Sequence, residues 1–178
     1  MFWLKQEKTL NVFGLFGNTH PLRPKIVKFL IEQRIPNSCI GIDHGILPWQ
    51  DDRRFEIPPL KSYEEYLKFM ASAKINIVIR GHGMDTVRFW ESFSFKTLVL
   101  LKDPGIIIPH PYIDKEHCVY FDELGDLKEK IDYYLSHDKE REAISERGFQ
   151  HTKKYHSNRE RSMYLLDIVK EKTGCVLI

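Results

Sequence analysis

With 178 residues, 42% apolar and 29% charged, the chain is long enough for one ordinary domain and too apolar to be intrinsically disordered. A net charge of +2 excludes a bulk field for nucleic acid, although a few placed cations would still hold an anion. No apolar run approaches the roughly 18 residues of a membrane span, and Met1 to Lys8 lacks the apolar core of a secretory signal.

Strands and helices alternate. Leu10 to Phe16 is a short apolar run closed by Gly17-Asn18 and reads as a buried strand followed by a loop. Pro21 to Arg34 follows as a helix with Ile26, Val27, Leu30 and Ile31 on one face, stopped by Pro36. Ile40 to Ile42 is a short strand. Gly45 to Leu60, which contains Asp51-Asp52-Arg53-Arg54, reads as a solvated loop. Ser62 and Glu65 form a capping box. The helix they open carries Tyr63, Tyr66, Leu67, Met70 and Ala71 at core-facing spacing. Ile75 to Ile79 is β-branched and reads as a central strand.

A further helix is expected over about Thr86 to Phe95, and further strands over Thr97 to Leu101 and Cys118 to Phe121. Leu124, Leu127, Ile131, Tyr134 and Leu135 mark a helix from about Glu123 to Ser136. Asp138 to about Tyr155 is a charged helix, read as bent at Gly148. Ser157 and Glu160 form a second capping box before a last helix through Leu165, Ile168 and Val169. The C-terminal helices thus span about 138 to 172. This order predicts an α/β fold, a Rossmann-like parallel sheet with helices on both faces, in one domain over 1–178.

Cys39, Cys118 and Cys175 have no metal-ligand spacing, and their odd number argues against a disulfide framework. A reducing, cytoplasmic location is expected, with no cofactor and no bound metal. Cys175-Val176-Leu177-Ile178 has the shape of a prenylation box, but no polybasic run precedes it, and it reads as an apolar tail.

Ligands of such sheets bind outside the carboxyl ends of the strands. Two loops fit: Gly17-Asn18-Thr19-His20, and Arg80-Gly81-His82-Gly83-Met84-Asp85. Gly81 and Gly83 permit close backbone approach, and Asp85 or Thr86 is placed to cap the next helix. Arg88 in its first turn opposes the helix dipole unless an anion is bound. A helical wheel puts Val87, Phe89, Trp90 and Phe93 on one arc, and Arg88, Glu91 and Ser92 on an opposite polar face. There Arg88 is set to fork phosphate oxygens and Glu91 to accept ribose hydroxyls. An exposed helical ion pair is the alternative reading of the same spacing. Gly81-His82-Gly83 lacks the third glycine of a dinucleotide fingerprint, and no Walker element is present. His20, His82 and His110 sit in predicted loops where a general base acts, with His82 best placed.

Tyr66-Leu67-Lys68-Phe69-Met70-Ala71-Ser72-Ala73-Lys74-Ile75, then Arg80-Gly81, then Asp85-Thr86-Val87-Arg88-Phe89-Trp90-Glu91-Ser92 resembles the C-terminal half of exostosin-like and related GT-B glycosyltransferases. The resemblance extends from about Leu10 to Val169 and is most specific from Tyr66 to Leu101. It implies a domain that binds a nucleoside diphosphate sugar without a metal ion. Arg88 would hold the diphosphate and Glu91 the ribose. Arg80, Gly81, His82, Gly83, Asp85 and Thr86 would line the pocket, with Arg23 a further phosphate candidate. Two positions depart from the family pattern. Lys96 stands where the family usually has glycine, which would reshape that turn or add a phosphate contact. Val99 stands where it usually has proline.

With the first strand so close to Met1, the acceptor-binding half is expected to be absent from this chain. A separate acceptor-binding chain or self-association is then an expected partner. The alternative function is a nucleotide-sugar or partner-binding module without turnover, which an exposed apolar patch would favour. A flavodoxin-like receiver needs an acidic cluster and a lysine at the strand ends, and the sequence shows neither.

Overall fold

The computed structural model describes residues 6–43, 62–83 and 85–174. The expected loop from Gly45 to Leu60 and the Cys175 box lie outside the described residues. Five strands form one parallel sheet in the order β2-β1-β3-β4-β5: β1 Leu10–Gly17, β2 Ser38–Asp43, β3 Ala73–Val78, β4 Leu98–Leu101 and β5 Val119–Tyr120. The helices are α1 Leu22–Glu32, α2 Tyr63–Ser72, α3 Val87–Phe93, α4 Leu124–Ser136, α5 Asp138–His151 and α6 Asn158–Thr173.

Alternation along the strands decides which side each residue buries. Ile75, Ile77, Leu98 and Leu100 pack with Ile26, Val27 and Leu30 of α1 and Leu127 and Ile131 of α4. On the other face, Val78, Val99 and Leu101 meet Phe89 and Phe93 of α3, while Phe13 and Leu15 meet Met70 and Ala71 of α2. The sheet is covered on both faces, as the near-continuous apolar runs of the strands require. Both expected capping serines act: Ser62 Oγ accepts from Glu65 N at 3.2 Å, and Ser157 Oγ from Glu160 N at 3.3 Å. Among the described residues no helix is long and apolar enough to cross a membrane.

Two details go beyond the sequence expectation. The helix after Asp138 is continuous through Gly148. It runs on to His151 and then widens into a π-helical turn over Thr152–His156. Gly148 instead sits against the main chain, where an added Cβ would come within 2.2 Å of the His117 carbonyl oxygen. Lys96 does occupy a tight turn, with φ of 50°, a conformation glycine adopts without strain. Its ammonium lies 2.7 Å from Glu146 and 4.8 Å from the Phe149 ring centroid, both on α5. The turn stands at the amino end of β4, at the opposite end of the strand from the loops that line the crevice.

Exchanging glycine for alanine inside a helix normally stabilises by about 1 kcal/mol. Gly148→Ala is expected to do the opposite, costing about 1–3 kcal/mol, because the new methyl meets backbone and not a mobile side chain. A urea midpoint at or above that of the parent would contradict this packing.

Candidate functional site

The strand order reverses between β1 and β3, and in open sheets that switch point opens a crevice at the carboxyl ends. Paired residues between these strands run only from Leu10–Ala73 to Phe13–Asn76, although both strands continue. Beyond that point main-chain carbonyls need other donors, and two arginines supply them. Arg88 Nε and Nη2 each donate to the Ile77 carbonyl at 3.2 Å, and its Nη1 donates to the Leu15 carbonyl and, at 3.1 Å, to Tyr66 Oη. Arg23 donates from Nη1 to Gly17 O at 2.9 Å, from Nε to Arg80 O at 3.0 Å and from Nη2 to Ile79 O at 3.3 Å. The Arg88 guanidinium also lies over the Phe13 and Phe16 rings, at 4.9 and 4.6 Å.

These groups form the floor of a cavity of about 420 Å³, lined by Gly17, Thr19, Arg23, Tyr66, Gly81, His82, Gly83, Asp85, Thr86 and Arg88 among others. Gly81 is buried there because a Cβ would stand 3.0 Å from Arg23 Nη2 and 3.1 Å from Thr19 Oγ1. Burial first, and then the neighbouring Arg88 charge, push the Arg23 guanidinium down to about 10. Arg80, next to Gly81 in the chain, is not among the residues lining the cavity; its carbonyl accepts from Arg23, and its buried Nε has no hydrogen-bond partner among the described residues. None of Arg23, Arg80 and Arg88 pairs with a carboxylate among the described residues. Arg23 and Arg88 therefore line the crevice without a carboxylate partner, and the carboxylate in the same lining, Asp85, faces Arg161.

Helix α3 differs from its wheel. Val87 is 70% exposed, whereas Arg88 and Glu91 are 7% and 6% exposed and Ser92 is fully buried. The supposed polar face is packed between the sheet and α2. Carbonyl acceptors offset the first-turn dipole on Arg88, and Arg88 and Glu91 form no surface ion pair. The N-cap Thr86 is extended and makes no side-chain cap, and Asp85 does not cap either. Asp85 Oδ1 accepts from Trp90 Nε1, and its Oδ2 lies 3.6 Å from Arg161.

Glu91 does not line the crevice. Its carboxylate accepts from Tyr63 Oη and opens onto a neighbouring cavity of about 700 Å³, walled by Tyr63, Leu67, Val87, Trp90, Phe95 and Arg161 among others. Val87 lines both cavities, and burial raises the Glu91 carboxyl to about 7.

The three loop histidines separate. His82 is exposed on the crevice rim. His20 Nδ1 accepts from Leu22 N at 3.2 Å, at the start of α1. His110 lies elsewhere, its ring stacked on Tyr155 and its carbonyl accepting at 2.9 Å from Nε2 of both His151 and His156. Burial holds His156 down, to about 4. Among the described residues, no three His, Cys, Asp or Glu side chains are grouped to hold a metal ion. The sequence reading placed the Thr19 loop at the site but did not single out Tyr66, Trp90 or Arg161 among the cavity linings. Tyr66 and Trp90 were counted as core, and Arg161 lies 70 positions beyond Glu91, with no local signal tying it to this loop.

A five-stranded parallel sheet covered by helices on both faces is the Rossmann-like architecture of GT-B C-terminal domains. The profile of the glycosyl transferase-like family matches residues 22–167, and the chain belongs to that family. Three solved structures share its fold. The C-terminal domain of the glycosyl transferase group 1 family protein LpcC from Francisella tularensis has a TM-score of 0.64 at 16% identity, over 83% of this chain and 87% of that one. Sucrose-phosphate synthase from Thermosynechococcus elongatus has a TM-score of 0.67 at 14% identity, over 95% of this chain and 47% of that one. A mutant of S. aureus TarM, in complex with fondaparinux, alpha-GlcNAc-glycerol and UDP, has a TM-score of 0.64 at 14% identity, over 94% and 37%. The chain thus spans less than half the length of the latter two. No curated protein sequence matches it.

If Arg88 ties β1 to β3, its removal strands buried carbonyls, each costing about 1–3 kcal/mol. Arg88→Met is expected to lose at least about 2 kcal/mol in chemical denaturation, with little rescue by Arg88→Lys, because an ammonium lacks the fork that reaches both strands. A loss below about 0.5 kcal/mol, the range of an ordinary surface change, would remove the tie from this account.

Proposed function

We propose that this chain is the donor-binding domain of a GT-B glycosyltransferase related to the exostosin-like group, and that it holds a nucleoside diphosphate sugar at the β1/β3 crevice. The observation that carries the reading is the pair of Arg23 and Arg88 lining the switch-point crevice, neither ion-paired to a carboxylate among the described residues, while the carboxylate that shares the lining, Asp85, faces Arg161 instead. A diphosphate supplies the negative charge they lack. Arg80, with its buried Nε unpaired, and the Gly81 to Thr86 loop contact it directly, and Arg23 and Arg88 stabilise it from the floor. The ribose lies over Val87, where the crevice meets the larger cavity, and its hydroxyls donate to Glu91. His82 stands on the rim as the candidate general base. The UDP bound by TarM is the nucleotide type to test first.

In the reaction, the acceptor hydroxyl gives up its proton and its oxygen bonds to the anomeric carbon. The bond from that carbon to the diphosphate oxygen breaks, and the nucleoside diphosphate leaves with the electron pair. The positive crevice stabilises the charge growing on this leaving group, a preorganised electrostatic role that needs no metal ion. The exposed Met163 and Leu166 on α6, a helix with no buried residue, favour an accompanying acceptor-binding half, in the same protein or a separate chain.

Thermal-shift titration with UDP, GDP and ADP and their sugars is expected to give stabilisation by one base series. Arg80→Gln is expected to weaken that binding at least tenfold, about 1.4 kcal/mol, with the unliganded melting temperature unchanged. Stabilisation by no nucleotide, or full affinity in Arg80→Gln, would overturn the assignment.

Glu91 gives a pH signature. Its carboxyl, held up to about 7 by burial, accepts ribose hydroxyls more strongly when ionised, because both oxygens then accept and carry charge. Nucleotide affinity is therefore expected to rise as pH increases through 7 and fall as pH drops below it. The deoxyribose nucleotide, and Glu91→Gln with either nucleotide, should lack this dependence. An unchanged pH profile in Glu91→Gln would free Glu91 of the ribose role.

A further inference from the structure

Helices α2 and α3 meet in two rungs. Tyr63 and Tyr66 stand about one turn apart on α2, and Arg88 and Glu91 about one turn apart on α3. Tyr66 Oη accepts from Arg88 Nη1 at 3.1 Å, and Tyr63 Oη donates to Glu91 Oε1. The two tyrosine rings stack, with centroids 5.9 Å apart and planes 13° from parallel. The Tyr66 ring is itself set edge-on against Phe13 of β1, at 5.5 Å. Tyr63 is the first residue of α2, where the Ser62 cap fixes the start of the helix. Cap and stack together hold the Tyr63 hydroxyl on Glu91.

The other charged and titratable groups lining the Glu91 cavity are Glu64, His156 and Arg161, and each is engaged elsewhere. Glu64 of α2 pairs with Lys68 at 2.8 Å. His156 of the π-helical turn donates from Nε2 to the His110 carbonyl, and burial holds it down, to about 4, so it is neutral at pH 7. Arg161 of α6 lies over Trp90 and faces Asp85. Arg88, on the same helix as Glu91, is turned to the strand carbonyls. The remaining polar lining, Ser94 and Asn158, is neutral. Among the described residues no cation pairs with Glu91, and the hydrogen bond to its carboxylate is that of Tyr63. A buried carboxylate held by one donor depends on it for direction and for charge, because the bond favours the ionised form against burial. An ionised carboxylate has about four acceptor sites, so a ribose diol can bond without displacing Tyr63.

We infer that Tyr63 is a positioning residue of the nucleotide site: its hydroxyl aims the Glu91 carboxylate at the ribose and keeps it in the charged, accepting form. The role rests on the donor reading above; the bond between the two side chains does not.

Tyr63→Phe removes the hydroxyl and keeps the stacked ring of a residue that is 61% exposed, so the core is undisturbed. Carboxyl-carbon NMR, with the Glu91 signal assigned by its loss in Glu91→Gln, reads the titration of Glu91 without any nucleotide. Its midpoint is expected to rise in Tyr63→Phe by about half a pH unit or more, because the ionised form loses its donor. Binding is read in parallel with UDP, GDP and ADP, and with the dideoxyribose form of the one that binds. At pH 7 Tyr63→Phe is expected to weaken the ribonucleotide about twofold or more, and to recover most of that loss at about pH 8.5, where Glu91 ionises again. The dideoxyribose form should show no such loss, nor should Tyr63→Phe added to Glu91→Gln. An unmoved NMR midpoint, equal ribonucleotide affinity in parent and Tyr63→Phe at pH 7, or an equal loss for the dideoxyribose form overturns the inference and leaves the donor site standing. Binding of no nucleotide by the parent is instead the failure of the donor reading, and removes the positioning role with it.

Discussion

A parallel sheet that opens a crevice must stop pairing its two central strands there, and the backbone groups left behind need partners in a buried place. Here β1 and β3 stop pairing at Phe13 and Asn76, and two guanidinium groups take over. Arg88 reaches Leu15 and Ile77, and Arg23 reaches Gly17, Ile79 and Arg80. Each spans both strands. The fork of arginine suits this, since a lysine ammonium has no planar set of donors to serve diverging carbonyls. The tie that closes the gap also brings two positive charges under the crevice. Structural need and anion attraction come from the same atoms.

The tie constrains α3 in turn. For Arg88 to reach inward, its face of the helix must bury, and Glu91, one turn along, is carried in with it. A buried carboxylate without a cation is costly. The structure gives it the Tyr63 hydroxyl and a carboxyl raised to about 7. Val87 is turned out as a consequence. Glu91 then faces a cavity next to the crevice, with Val87 between them. A ligand that joins an anionic group to a hydroxylated ring through a short linkage spans that arrangement; a simple phosphate ion leaves the second cavity empty.

The strands and most helices were legible because each carries its period plainly: Ile75, Ile77 and Ile79 on one side of β3, and Leu127, Ile131 and Tyr134 on α4. The crevice was legible from the two loops at strand ends. The facing of α3 was not. Periodicity assigns burial by polarity, and Arg88 and Glu91 were polar on a surface that the sheet and α2 cover. Only the carbonyls of Leu15 and Ile77, distant in sequence, explain why an arginine is stable there. The reason for Gly148 was not legible either, since only the fold brings the His117 carbonyl against it. Lys96 takes a left-handed backbone, with φ of 50°, that its residue type does not announce. Its partners on α5 lie too far along the chain for spacing to reveal.

The residue that joins the parts is Asp85. It lines the crevice, and it holds Trp90 of α3 and Arg161 of α6. A carboxylate at the mouth of a cationic crevice would weaken anion binding if it stood free. Paired with Arg161, its charge is largely spent locally, and the crevice keeps its sign. The pairing also gives the first turns of α6 a hold on the site, although that helix buries no residue of its own.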